Sequence, residues 1–264
     1  MKILVTNDDG VYSPGLWAAV EALRDIAEVV VVAPDRELSG VGGSVTLHSP
    51  VRAMEVEASK NGTVTYAVEG TPADCVILAM EKLVGKVDLL VSGINKGANV
   101  GADVLISGTV GAALQGYARD VPSVAISVAA LKATRFDTAA QLLRGVAEQV
   151  QQGSLVPPLL LNINLPDVPP EEINGIEVTR LAQRSFIGTV SEGDDGRRPY
   201  YWIARGKPKW RVRKGTDIWA LRRRRCVSIT PLHADMTAVR VLSSLKGLPA
   251  QLLPALRAEQ AKEP

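Results

Sequence analysis

Cysteine, histidine and aromatic side chains are scarce in this chain of 264 residues: two Cys, two His and 4% Phe, Trp and Tyr together. The spacing of Cys75 and Cys226 suggests neither a disulfide framework nor a thiolate cluster. With only His48 and His233, a histidine-rich zinc or iron site has little to build on, so a metal would be held mainly by oxygens. Neither sign of charge is in excess. The formal net charge is +2, too small to imply nucleic-acid binding on its own. No apolar run approaches the roughly 20 residues of a membrane-spanning helix. Lys2 is followed by only three apolar residues before Thr6-Asn7-Asp8, too few for the apolar region of a secretory signal. A cytoplasmic chain without membrane contact is the expectation.

What the sequence does contain is an alternation. With 46% hydrophobic and 22% charged residues, the chain suffices for one large α/β domain with a sizeable core. Residues 1–165 alternate short β-branched runs, expected as strands at 3–6, 28–33, 87–91, 123–127 and 159–163, with helical patterns at 14–24, 72–84, 110–119 and 138–151. Several runs, such as Val29-Val30-Val31-Val32, are continuously apolar, as strands covered on both faces are. The expected fold is a Rossmann-like three-layer α/β sandwich with a mainly parallel sheet. Residues 51–56 and 63–68 alternate like strands around Asn61-Gly62, which predicts a β-hairpin insert. Residues 166–264 read as an irregular, β-rich extension that could pack on another subunit, followed by a Leu/Ala-rich helical tail from about Ser243.

In an open parallel sheet, ligands bind outside the carboxyl ends of the strands. The first strand ends in Asn7-Asp8-Asp9-Gly10, the second in Pro34-Asp35-Arg36-Glu37-Leu38-Ser39-Gly40, and the 87–91 strand in Ser92-Gly93-Ile94-Asn95-Lys96-Gly97. Alone, Asn7-Asp8-Asp9-Gly10 reads as an ordinary turn. Beside the other two loops, it supplies adjacent carboxylates whose repulsion a hard divalent cation would relieve, with a hydroxyl and an amide as further oxygen ligands. Ser107-Gly108-Thr109 precedes a helical pattern and admits two readings, an N-cap or a phosphate cradle built from backbone N–H groups and hydroxyls. The Gly-rich stretches 40–43 and 97–101 allow close backbone approach. None of these loops has the spacing of a Walker loop or an intact dinucleotide fingerprint.

Five segments, taken in order, resemble the SurE family of survival-protein nucleotidases: Thr6-Asn7-Asp8-Asp9-Gly10; Ala33-Pro34-Asp35-Arg36 with Ser39-Gly40; Gly70-Thr71-Pro72-Ala73-Asp74-Cys75; Val91-Ser92-Gly93-Ile94-Asn95-Lys96-Gly97-Ala98-Asn99; and Ser107-Gly108-Thr109-Val110. Asn162-Ile163-Asn164-Leu165-Pro166, Gly215-Thr216-Asp217 and Val227-Ser228-Ile229-Thr230-Pro231-Leu232 extend the likeness over nearly the whole chain. The resemblance implies a phosphatase that acts on nucleoside 5′- and 3′-monophosphates, in some members on short polyphosphate, with one divalent metal ion per subunit (Mg, Mn or similar). Asp8, Asp9, Ser39 and Asn95 match the family's metal ligands. Ser107, Gly108 and Thr109 match its phosphate cradle, and Asn7, Gly40 and Asn95 join them on the substrate side. Homodimers and homotetramers built through C-terminal extensions are also implied.

Such a site suits metal-assisted attack by water, with Asp8 or Asp9 as the candidate base. An aspartyl-phosphate route usually places its carboxylates two apart, whereas these are consecutive. Two departures from the family pattern stand out: Gly43, where many relatives carry Asn or His, and the run Arg222-Arg223-Arg224-Arg225. The basic segment 205–225, interleaved with Trp210 and Trp219 and preceded by Trp202, offers a nucleic-acid reading, although a charge run is most often a solvated face. A nucleotide or phosphate sensor without turnover is the other alternative.

Overall fold

Each expected apolar run becomes a buried strand, and the helices between the strands cover both sheet faces. The computed structural model describes residues 1–57, 62–130, 135–183, 187–206 and 212–260. They fall into two compact units, Met1–Leu232 and His233–Pro264. The first unit runs β1 (Lys2–Thr6), α1 (Pro14–Leu23), β2 (Glu28–Pro34), β3 (Ala53–Glu55), β4 (Thr65–Val68), α2 (Pro72–Leu78), β5 (Leu89–Lys96), α3 (Gly108–Tyr117), β6 (Ser123–Val128), α4 (Asp137–Gln151), β7 (Leu160–Leu165), β8 (Ile176–Val178), β9 (Ile187–Asp194), β10 (Pro199–Arg205), α5 (Asp217–Trp219) and β11 (Val227–Pro231). In the second unit α6 (Val239–Leu242) and α7 (Leu248–Gln260) form the helical tail. Residues 233–254 are exposed throughout.

Among the described residues one sheet has the order β3-β4-β2-β1-β5-β6-β7-β11-β8, and β9 and β10 form a separate antiparallel ribbon. The strands from β4 to β7 are all parallel, while β3 and β11 pair antiparallel with β4 and β7. Alternation sorts the side chains onto two faces. Ile3, Val5, Leu89, Val91, Val124, Ile126 and Ile163 pack with Leu16 and Val20 of α1 and Leu143 of α4. On the opposite face Leu4, Val32 and Leu90 meet Cys75 and Val76 of α2 and Ala112 of α3, while Val110 and Ala113 of α3 lie on Ala125 and Leu160. Both cysteines are free and buried. Among the described residues, no helix is long and apolar enough to cross a membrane.

The expected hairpin is present, with β3 antiparallel to β4, and β4 also pairs in parallel with β2, which joins the hairpin to the main sheet. Asn61, half of its turn signal, lies outside the described residues. From beyond Pro166, β11 and β8 extend the same sheet past β7. Buried Asp217 helps fix this late region: its carboxylate accepts from the N–H groups of Gly101 (2.7 Å), Ala182 (2.9 Å) and Ile218 (2.8 Å).

The Gly70-Thr71-Pro72-Ala73-Asp74 motif has a local structural task. Pro72 fits the first turn of α2, and Thr71 and Asp74 form a capping box. The Asp74 carboxylate also accepts from the Thr46 N–H (2.9 Å) and hydroxyl (2.6 Å), and the Thr71 hydroxyl donates to the Ser44 carbonyl (2.7 Å). The helix start therefore anchors the Gly-rich loop before it. Burial pushes the Asp74 carboxyl up, but the hydrogen bonds from Thr46 and Thr71 outweigh it and hold the group below its ordinary 3.8. Such a stabilisation is complete above the ordinary value and is lost as the pH falls through the folded one. Asp74→Ala should cost about 1–2 kcal/mol at neutral pH. In urea titrations its gap from wild type should close below pH 3.8.

Candidate active site

From β4 to β7 the parallel strands run β4-β2-β1-β5-β6-β7, an order that reverses direction between β1 and β5. That reversal opens a crevice at the strands' carboxyl ends, where Asp8, Asp9 and Asn95 lie. β5 is longer than the expected 87–91 strand and carries Asn95 within it. Between the register pairs Ser92↔Ala125 and Asn95↔Ser127 it has one residue more than β6. The bulge shifts the alternation, so Asn95 emerges on the same face as Ser92 and Ser127, towards α3. Gly93 permits this with φ +138°, and a side chain there would strike the Ile126 carbonyl.

Asp8 is buried and points at the start of α3. One of its oxygens accepts from the Thr109 hydroxyl at 2.7 Å, and the Thr109 N–H also faces the carboxylate. A Cβ on Gly108 would lie 2.8 Å from the Asp8 Cβ, so only glycine allows this approach. Asp9 is half-buried and accepts from the Lys96 N–H at 3.3 Å. Asn95 donates its amide to the Gly97 carbonyl (2.6 Å), which leaves Oδ1 as its available atom. Asn7 likewise donates to the Gly10 carbonyl (2.9 Å), and its buried Oδ1 has no partner. The Leu38 N–H binds the Asp8 carbonyl (2.8 Å) and brings the 35–40 loop alongside. In that loop the exposed Ser39 donates its hydroxyl to Glu37 (2.9 Å), and Gly40 turns with φ +81° in open space.

Burial raises the Asp8 carboxyl above its ordinary value despite the Thr109 hydrogen bonds. Burial first, then the charge of Asp8, raises Asp9 to about 6, with Lys96 opposing. Glu37 pushes both upward. The site is therefore short of positive charge.

A family profile described as "Survival protein SurE" matches residues 3–187. The "5'-nucleotidase SurE" of Dehalococcoides mccartyi (strain CBDB1) is 47% identical over 99% of this chain and 100% of its own length. The chain belongs to the SurE family. The "5'-nucleotidase SurE 1" of Thermus thermophilus is 45% identical, covering 94% of this chain and 98% of its own. The crystal structure of a SurE protein from Aquifex aeolicus superposes with TM-score 0.81 at 40% identity, covering 94% and 99% of the two chains.

In this SurE-family chain, no three His, Cys, Asp or Glu side chains among the described residues gather to hold a metal. A cation here would need neutral oxygens beside Asp8 and Asp9. The site offers them as Asn95 Oδ1, the orphaned Asn7 Oδ1 and the Ser39 hydroxyl, all hard donors suited to Mg²⁺ or Mn²⁺. In the 107–109 segment the N-cap reading is the one seen directly. Ser107 caps α3 by accepting from the Val110 N–H (3.2 Å), and with the Thr109 N–H turned to Asp8 the first turn leaves the Gly108 N–H as its donor. The Thr109 hydroxyl is committed to Asp8.

His48 is exposed, and His233 belongs to the second unit. Arg224 pairs with Glu177 (3.2 Å) and Arg225 with Glu172 (2.7 Å), so this part of the Arg run is an ion-paired, exposed face. Trp219 is half-buried. Lys207, Lys209, Trp210 and Arg211 lie outside the described residues. Sequence reasoning missed Glu37 as a site charge and gave Asn99 no physical role. The polar residue two places before Ser39 was the available signal for the first.

Proposed function

We propose that the chain is a divalent-metal-dependent phosphomonoesterase that hydrolyses nucleoside 5′- and 3′-monophosphates, with short polyphosphate as a further substrate. The observation that carries this reading is a pair of consecutive carboxylates, one buried and one half-buried, both raised by burial and Asp9 further by the charge of Asp8, at the sheet's reversal point beside a helix start. The names of the curated relatives support the nucleotidase part.

Asp8, Asp9, Ser39 and Asn95 would hold the ion, which when bound would supply Lewis acidity towards a phosphoryl oxygen and a more acidic water. Ser107 and the Gly108 N–H at the start of α3 would bind the phosphate, as helix starts do. Asn7, Gly40 and the Thr109 backbone would line the same mouth. Asp8 has one oxygen committed to Thr109, whereas Asp9 has its raised carboxyl half-exposed. Asp9 is therefore the better placed of the two to take a proton from the attacking water.

Self-association fits the surface. The ribbon of β9 and β10 exposes Val190, Tyr201, Trp202 and Ile203, and a two-stranded ribbon alone is marginal in water. Beyond α4, Leu142, Val146, Ile173, Val178 and Ile229 line an apolar cleft of about 770 Å³. A homodimer or homotetramer would cover both, and light scattering measures it.

The purified protein should release phosphate from nucleoside monophosphates with Mn²⁺ or Mg²⁺ and stop on addition of chelator. A panel of nucleotides, polyphosphate and an aryl phosphate tests this across metals. Nucleotide binding without turnover under every metal would make the chain a sensor instead.

A further inference from the structure

Asn99, in the loop after β5, is 5% exposed and sits at the centre of a buried polar network. Two side chains that alternate along β7 hold its backbone. Asn164 accepts from the Asn99 N–H (2.8 Å) and donates to its carbonyl (3.0 Å), while Asn162 donates to the same carbonyl (2.8 Å). The side-chain nitrogen of Asn99 reaches two hydroxyls, Thr109 Oγ1 at 3.2 Å and Ser127 Oγ at 3.1 Å. Thr109 Oγ1 lies 2.7 Å from Asp8 Oδ1. Thr109, Ser127, Asn162 and Asn164 are fully buried.

Hydrogen-bond chemistry fixes the direction of this chain. A cation is held by Asp8 as its carboxylate, which only accepts, so in that state the single Thr109 hydroxyl proton must point at Asp8. Thr109 Oγ1 can then only accept from Asn99, which orients that amide with its NH₂ towards both hydroxyls. If the amide were reversed, its oxygen would compete for the Thr109 proton and leave Asp8 facing a lone pair.

We propose that Asn99 is a positioning residue, which, clamped by Asn162 and Asn164, directs the Thr109 hydroxyl at Asp8 and so fixes the Asp8 carboxylate for cation binding. The inference rests on the metal-dependent reading above. Outer partners of this kind hold ligand side chains in orientation, and their loss typically costs about 10- to 100-fold in metal affinity or activity. Asn99 touches neither substrate nor ion, so its effect must pass through Thr109.

The test is a double-mutant cycle read by Mn²⁺ titration of the substrate-free protein, with kcat and KM measured alongside. Asn99→Asp keeps the shape but turns the donor into an acceptor. It should weaken Mn²⁺ binding about tenfold and lower kcat with little change in KM. In a Thr109→Val background the same substitution should have no further effect, because the hydroxyl it redirects is gone. Equal losses in both backgrounds, or unchanged Mn²⁺ affinity in Asn99→Asp, would overturn the inference. If Asn99→Asp does not fold, a neutron structure of the wild-type protein decides. A deuteron on Thr109 Oγ1 aimed at Asp8 supports the proposal, and one aimed at Asn99 overturns it. A wild-type protein that neither binds Mn²⁺ nor turns over nucleotide refutes the metal-dependent reading and, with it, the cation-binding role given to Asn99. The neutron result would then bear only on the hydroxyl's direction.

Discussion

Asp9→Asn should lose at least about 10³-fold in kcat/KM for nucleoside monophosphate, equivalent to about 4 kcal/mol of transition-state stabilisation, and yet raise the Tm of the metal-free protein. Both effects have one origin. At neutral pH the folded chain holds Asp9 ionised beside Asp8, with burial as the larger cost and the Asp8 charge next. The unfolded chain bears neither cost, so a neutral amide at position 9 removes a penalty confined to the folded state. The carboxyl titrates near 6 in the fold against an ordinary 3.8. The destabilisation therefore grows as the pH rises from 3.8 through about 6 and is absent below that window. Calorimetry in chelator should show the variant ahead of wild type at pH 7.5 and level with it near pH 4. Each kcal/mol recovered corresponds to about 2–4 °C in a chain of this size. A variant that keeps its turnover, or melts below wild type at pH 7.5, would refute the charge-strain account of the site.

Gly15→Ala should be the most damaging single-methyl change in the core. The added Cβ would overlap the Ile94 carbonyl oxygen, a backbone atom of the β5 bulge, and would press the Phe136 ring at 3.0 Å. Backbone cannot swing aside as a side-chain tip does, so α1 must lift from β5 or the bulge must move. A cost of about 3 kcal/mol, the upper end of overpacking, is expected in urea unfolding. Any bulge shift moves the neighbouring Asn95, so surviving protein should also bind Mn²⁺ more weakly. Gly145→Ala is the control. It lies within α4, a Cβ there meets nothing within 4 Å, and the change should stabilise by about 0.4–1 kcal/mol.

The parts of this molecule legible in the sequence were those governed by short-range rules. The apolar runs gave the core strands, and the carboxyl-end rule placed Asp8 and Asp9 in the crevice. The Thr71-Pro72 start of α2 also follows from local capping chemistry. Asn95 was found through its loop, but its direction depends on a bulge that only pairing with β6 defines. Asn162 and Asn164 alternate like ordinary strand residues, and their partner lies 63 and 65 residues away in sequence. No local pattern encodes such a contact. The same holds for β11, whose pairing with β7 depends on the course of residues 166–226 rather than on its own composition.

The outermost strands of the main sheet, β3 and β8, are three residues each. Short rims offer an approaching chain few free N–H and C=O groups, so the sheet is guarded against edge-to-edge growth. Inside the β8 rim lies β7, six buried residues with backbone groups satisfied by β6 on one side and β11 on the other. Cutting the chain before Val227 would strip that cover and turn an interior strand into a long, apolar template for aggregation. Fragments ending near residue 187, where the family profile stops, should therefore precipitate or fibrillate although every proposed ligand of the site is retained.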